Sequence, residues 1–205
     1  MIAKRLRRDV RLARAVNGNP GLRVPGAFNG FEMGLRAILG QQITVKAATT
    51  IASRFVEAFG EPIVTAVPEL NRLTPLSARI ARASVGDIAR HGIVAARARS
   101  IIALAKAQES GELCLDGRTH HNPDDSMRRL AELPGIGPWT AHYIAMRALR
   151  WPDAFPKEDI AVRNNLGGVT AKQAEALSQA WRPWRSYAVM HVWSGASLPS
   201  QARTL

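Results

Sequence analysis

The chain has 205 residues, 46% of them apolar, enough to bury one good core or two small lobes that share a cleft. Its 28 Lys and Arg against 16 Asp and Glu leave a net charge of +12, which favours a polyanion, nucleic acid before anionic membrane, with a simply high-pI protein as the bland alternative. Cys114 is the single cysteine, which excludes an intrachain disulfide, a cysteine-cluster zinc site and an iron–sulfur cluster and reads as a buried structural thiol.

In chain order, residues 1–16 are charged and amphipathic, with no long apolar run, so they form neither a secretory signal nor a membrane span. A soluble, cytoplasmic protein is expected. Apolar groups at Phe31, Leu35, Ile38, Leu39, Val45, Ala48, Ile51, Ala52 and Phe55 recur at helical spacing and predict a helix pair over 31–59, broken near Gly40. Further helices are predicted over 69–73, 77–83, 85–90, 93–110, 126–131, 140–149, 170–181 and, past the break at Pro183, 187–193. The connections between them are short, and no apolar/polar alternation lasts long enough to demand a strand. The prediction is an all-α fold: one compact unit with two helical lobes flanking a cleft, without repeats. Arg79, Arg82, Arg90, Arg97, Arg99 and Lys106 recur along helices as either a solvated face or one wall of a groove.

The most informative stretch is Leu133-Pro134-Gly135-Ile136-Gly137-Pro138-Trp139-Thr140-Ala141. One helix ends near Leu133, the glycines permit a tight turn, and a second helix starts near Trp139. Such a hairpin presents unblocked backbone N–H groups at the positive end of a helix dipole, which suits a phosphate oxygen. Spacing alone leaves an ordinary Gly/Pro helix connection open as well. Asp159, just before Ile160 and Val162, has the position of a helix N-cap. Trp139 and Tyr143 are four residues apart and share one helix face, which makes them either plain core or an aromatic wall. His120 and His121 have no spaced carboxylate or thiol partners, so they read as a loop pair; no metal site is expected. His142 and His191 read as packed or hydrogen-bonded helix residues.

The hairpin with its continuation Trp151-Pro152-Asp153-Ala154-Phe155-Pro156-Lys157-Glu158-Asp159 resembles the helix-hairpin-helix DNA glycosylase superfamily. Two more stretches resemble its alkylbase (3-methyladenine) glycosylase II branch. They are Arg36-Ala37-Ile38-Leu39-Gly40-Gln41-Gln42-Ile43 and Trp181-Arg182-Pro183-Trp184-Arg185-Ser186-Tyr187-Ala188, the latter leading to His191-Val192-Trp193. The resemblance covers most of the chain, with the hairpin at about 126–150 and the Gly/Pro-Asp loop at about 151–160. Larger members carry an N-terminal β-rich lobe, which is expected to be absent here: a minimal form, or the catalytic part of a longer polypeptide.

The resemblance implies roles residue by residue. Asp159 matches the catalytic aspartate, and Trp139, Tyr143 and Trp193 the wall of a pocket for an electron-poor, positively charged base. Gln41 and Gln42 stand where the family fills the gap left by a flipped nucleotide, with two surface glutamines as the alternative. Gly135, Gly137 and Thr140 belong to the phosphate-gripping hairpin. Arg163, Arg182 and Arg185 are phosphate contacts or solvated helix charge. The implied activity is monofunctional excision of alkylated purines from damaged double-stranded DNA by a monomer. No organic cofactor is required, and hairpin carbonyls are able to hold a monovalent cation. Bifunctional relatives carry a lysine where this chain has Trp139. An oxidised-base or mismatch enzyme, and a catalytically silent DNA-binding module, are the competing implications.

Overall fold

A computed structural model describes residues 1–116 and 122–194; His120 and His121 lie outside them. Among the described residues the fold is helical, with no strand and one isolated antiparallel bridge between Pro62 and Arg72. The helices are α1 (Ile2–Leu6), α2 (Val10–Gly18), α3 (Gly30–Leu39), α4 (Val45–Phe59), α5 (Ser77–Ala81), α6 (Val85–Ala89), α7 (Ala95–Glu109), α8 (Pro123–Glu132), α9 (Pro138–Arg147), α10 (Ile160–Asn165), α11 (Ala171–Ser178) and α12 (Arg185–Trp193). No helix is long and apolar enough to cross a membrane.

The start signals are local and chemical. Asn29, Thr44, Asn122 and Thr170 cap α3, α4, α8 and α11 through side-chain acceptors, and Ser84 forms a reciprocal capping box with Asp87 at α6. Prolines occupy the first helical position of α8 and α9, where a missing N–H costs nothing. The predicted pair over 31–59 is therefore real and breaks between Leu39 and Val45. The predicted helix over 69–73 is not formed. Leu70 N closes a turn onto Val67 O (2.9 Å), then Leu73 N donates to Glu61 O (2.9 Å) and Ile63 N to Asn71 O (2.9 Å), so residues 71–73 run extended ahead of Pro75. Two N-terminal helices form beyond those predicted, and α10 starts behind the N-cap read at Asp159.

Two apolar clusters make two lobes. The first gathers side chains of α3 to α9, including Leu35, Ile38, Phe55, Ile101 and Leu104; the second gathers Leu6, Leu12, Val16, Phe155, Val162, Trp181 and Val189. Helix α9 serves both: Ala141, Ile144 and Ala148 face the first cluster, Ala145 and Met146 the second, and Tyr143 packs against each. The predicted two lobes flanking a cleft are thus joined along one helix, whose N-terminal end carries the hairpin.

Candidate active site

The hairpin forms as the glycines predict. Gly135 takes φ of +74° at the turn, and a Cβ there would sit 2.2 Å from the Ser100 hydroxyl oxygen. Gly137 is different: it caps α9 at φ −81°, and a Cβ on it would meet nothing within 4 Å. Its freedom from a side chain leaves open space in front of the backbone. Among the described residues the N–H groups of Gly137, Trp139 and Thr140 find no acceptor, and they stand at the N-terminus of a ten-residue helix.

Gln41 braces this turn from the other side of the cleft. Its side-chain amide donates to the Gly135 carbonyl (2.9 Å) and to Thr140 Oγ1 (2.9 Å), while the Arg97 guanidinium donates to the Gln41 carbonyl. Gln41 is therefore committed to holding the hairpin and is not the free side chain that would fill an emptied stack. Gln42 is free of such ties, exposed at the rim with a left-handed φ of 55°. Thr140 is buried, with its hydroxyl taken by Gln41, so only its backbone N–H is left without a partner among the described residues.

Asp159 caps α10, its Oδ1 accepting from Val162 N at 2.8 Å. The same oxygen accepts from Trp193 Nε1 (3.0 Å), and Oδ2 accepts from Trp139 Nε1 (2.8 Å). Two residues named from widely separated stretches, Trp139 and Trp193, thus converge on one carboxylate. Every one of these donors is neutral. Asp159 lines a 580 Å³ cleft together with Gln41, Gln42, Gly135, Gly137 and Trp139. Glu158 also lines it, with Oε2 buried and without a hydrogen-bond partner among the described residues.

Trp139 stacks on Tyr143 (centroids 5.2 Å apart, planes 6° apart), and Tyr143 meets Trp193 at 6.2 Å in a tilted arrangement. Beyond them a second cavity of 260 Å³ is walled by Trp139, Tyr143, Ile43, Ala48 and Ala52, with Arg36 at its edge. Tyr143 already carries a cation, the Arg147 guanidinium 5.6 Å from its ring centroid. The rings of Trp139 and Trp193 carry none among the described contacts.

The arginines divide. Arg185 is only 4% exposed; it pairs with Asp153 (3.0 Å) and Glu175 (3.1 Å), so it is an internal ion pair and not a phosphate contact. A side chain this buried cannot meet a DNA backbone. Arg182 is half-exposed but tied to Asp153 (2.5 Å) and Gln179 (2.8 Å), and Arg163 donates to the Val169 carbonyl (2.9 Å). His142 accepts from Phe155 N (3.3 Å), and His191 is buried, so both histidines are packed rather than poised. Sequence reasoning missed Ser100 and Arg147 and read Arg97 only as one of a row of helix cations, because their roles depend on contacts across the fold.

Residues 35–185 match the family model described as HhH-GPD superfamily base excision DNA repair protein. The chain is 37% identical over 202 residues to the probable bifunctional transcriptional activator/DNA repair enzyme AlkA of Mycobacterium tuberculosis, covering 97% of this chain and 40% of that one. It is 35% identical over 182 residues to DNA-3-methyladenine glycosylase 2 of Escherichia coli, covering 89% of this chain and 63% of that one. In fold it is similar to the Schizosaccharomyces pombe 3-methyladenine DNA glycosylase solved with abasic DNA, at a TM-score of 0.75 and 21% identity, covering 97% of this chain and 98% of that one. The chain thus spans less than two thirds of the length of these two curated relatives. The chain belongs to the HhH-GPD superfamily of base excision DNA repair proteins.

Proposed function

We propose that this chain is a monofunctional DNA glycosylase that takes alkylated purines such as 3-methyladenine out of duplex DNA and hydrolyses the bond between base and sugar. The observation that carries the reading is the Asp159 carboxylate, held by two indole N–H groups and one amide and paired with no cation among the described residues, at the mouth of the cleft it shares with the hairpin.

Each part has a physical task. The free N–H groups of Gly137, Trp139 and Thr140 bind a phosphate oxygen of the DNA backbone. Gln42 enters the emptied stack, where its amide hydrogen-bonds the orphaned base. The electron-rich faces of Trp139 and Trp193 attract a positively charged base by stacking and cation–π interaction, each worth about 1–3 kcal/mol. An alkylated base leaves with the electron pair of the glycosidic bond, and the positive charge it loses appears on the sugar. The Asp159 carboxylate stabilises that charge and takes a proton from the water that adds to the sugar. The product is an intact abasic site. An indole occupies position 139, and its N–H is bonded to Asp159, so no amine stands there to form an imine with the sugar. No organic cofactor enters these steps. No hydrogen bond among the described residues ends on the Ile136 carbonyl, which leaves that hairpin oxygen suited to help hold a monovalent cation. The protein works as a monomer in the cytoplasm, on the nucleoid if its host is bacterial.

Mass-spectrometric identification of the bases released from methylated and from deaminated duplex DNA tests the reading. Methylated purines should appear, strands should stay unbroken, and borohydride should trap no covalent adduct. A robust trapped adduct, or release confined to oxidised or deaminated bases, overturns it.

A further inference from the structure

The first 31 residues carry seven Lys and Arg and a single acidic residue, Asp9. That one carboxylate is used up internally. Its Oδ1 accepts from Arg11 N (2.9 Å) and Nε (2.8 Å), and its Oδ2 from Arg11 Nη2 (2.7 Å) and Trp181 Nε1 (2.7 Å). Trp181 is 1% exposed in the second lobe's core, so the bond pins the start of α2 to that lobe. Around the pin lies a groove of 450 Å³ lined by Arg5, Arg8, Asp9, Val10, Arg11 and Ala180. Lys4, Arg5, Arg7, Arg8 and Arg14 are exposed and form no ion pair among the described residues.

We propose that this groove is a second binding site for the sugar–phosphate backbone of duplex DNA, outside the hairpin cleft. Unpaired cations on a rigid support, beside a carboxylate already neutralised by Arg11, give a positive field with nothing local to quench it. The apolar sides of α1 and α2 do not compete with this use. Leu6, Leu12, Ala15 and Val16 are buried in the lobe, which leaves Val10 as the one large apolar side chain the two helices expose, too little to lay into a bilayer. The pin at Trp181 stands four residues ahead of α12, whose far end carries Trp193 beside Asp159. The groove shares no lining residue with the hairpin cleft, so a backbone held there adds grip on any sequence, damaged or not.

The site is independent of the base-excision reading, and its test uses undamaged 30-base-pair DNA so that either can fail alone. Affinity is measured against salt for wild type, for Arg5→Gln/Arg8→Gln and for Arg5→Lys/Arg8→Lys. Two lost phosphate contacts should make the log–log salt slope shallower by about 1.8 and weaken binding at 0.15 M salt about five- to thirtyfold. The lysine pair should keep the wild-type slope, and each single glutamine variant about half the loss. Both glutamine changes are at exposed positions, so thermal melting should be unchanged, as should single-turnover base release at saturating enzyme. Unchanged affinity and slope in the glutamine pair overturns the proposal. So does a loss of binding to phosphatidylserine vesicles with DNA binding intact.

Discussion

Two aspartates six residues apart in the same loop are treated in opposite ways. Asp153 is buried and receives the guanidinium groups of Arg182 and Arg185, so its charge is cancelled where it sits. Asp159 receives only neutral donors, two indoles and an amide, which orient the carboxylate without cancelling it. The first arrangement fastens the Gly/Pro loop to α12. The second keeps a directed negative charge at the edge of an open cleft. A carboxylate meant to meet a developing cation must not already have one, and this loop builds one of each kind.

Asp153→Asn leaves the buried Arg185 without its main partner and should cost about 3–5 kcal/mol of stability, seen by chemical denaturation, while the folded fraction still releases base. A stable Asp153→Asn protein would show that the pair is not structural. A smaller effect comes from the helix behind both aspartates. Burial pushes the His142 imidazole down to about 4, with the charge of Arg185 adding to the shift, Glu175 opposing it and Lys157 adding slightly. The native state then stays unprotonated while the unfolded chain takes a proton below its ordinary value near 6.5. Stability should be complete above pH 6.5 and fall as pH drops toward 4, by about 2–3 kcal/mol for this one group. Denaturation midpoints measured from pH 7.5 to 4 check this, and His142→Gln should flatten the fall.

The two hairpin glycines sharpen the same division between structure and ligand at a smaller scale. Gly135→Ala forces a left-handed residue and a contact with Ser100, and should cost about 1–3 kcal/mol of stability. Gly137→Ala fits the fold without contact and should melt like wild type, yet bind all DNA more weakly because the methyl stands before the free N–H groups. Equal melting and equal binding losses in the two variants would contradict the phosphate-grip role.

What the sequence made legible follows from the range of the interactions. Asp159 as an N-cap and the glycine turn are read within four residues, and each stands where expected. The convergence of Trp139 and Trp193 on Asp159 bridges 20 and 34 residues and became visible only through the family resemblance. Arg185 shows where such reading fails. A cation at the start of a polar-looking helix reads as solvated, and its burial depends on Asp153, 32 residues earlier, and on Glu175. Gln41 fails likewise, since its partners lie 94 and 99 residues away. The missing helix over 69–73 has a shorter-range cause: between Pro68 and Pro75 the backbone finds partners in residues 61–63, which a five-residue helix could not better.

In the proposed reaction the unpaired charge of Asp159 drives bond breaking, and single-turnover release of 3-methyladenine by Asp159→Asn tests this. Asparagine keeps the size of the side chain and an oxygen for the indole donors while removing the charge. Release should fall by about two orders of magnitude or more, about 2.7 kcal/mol of barrier, with DNA affinity and melting held and Glu158→Gln far milder. Release near the wild-type rate by Asp159→Asn, with the protein folded and DNA bound, would contradict the account.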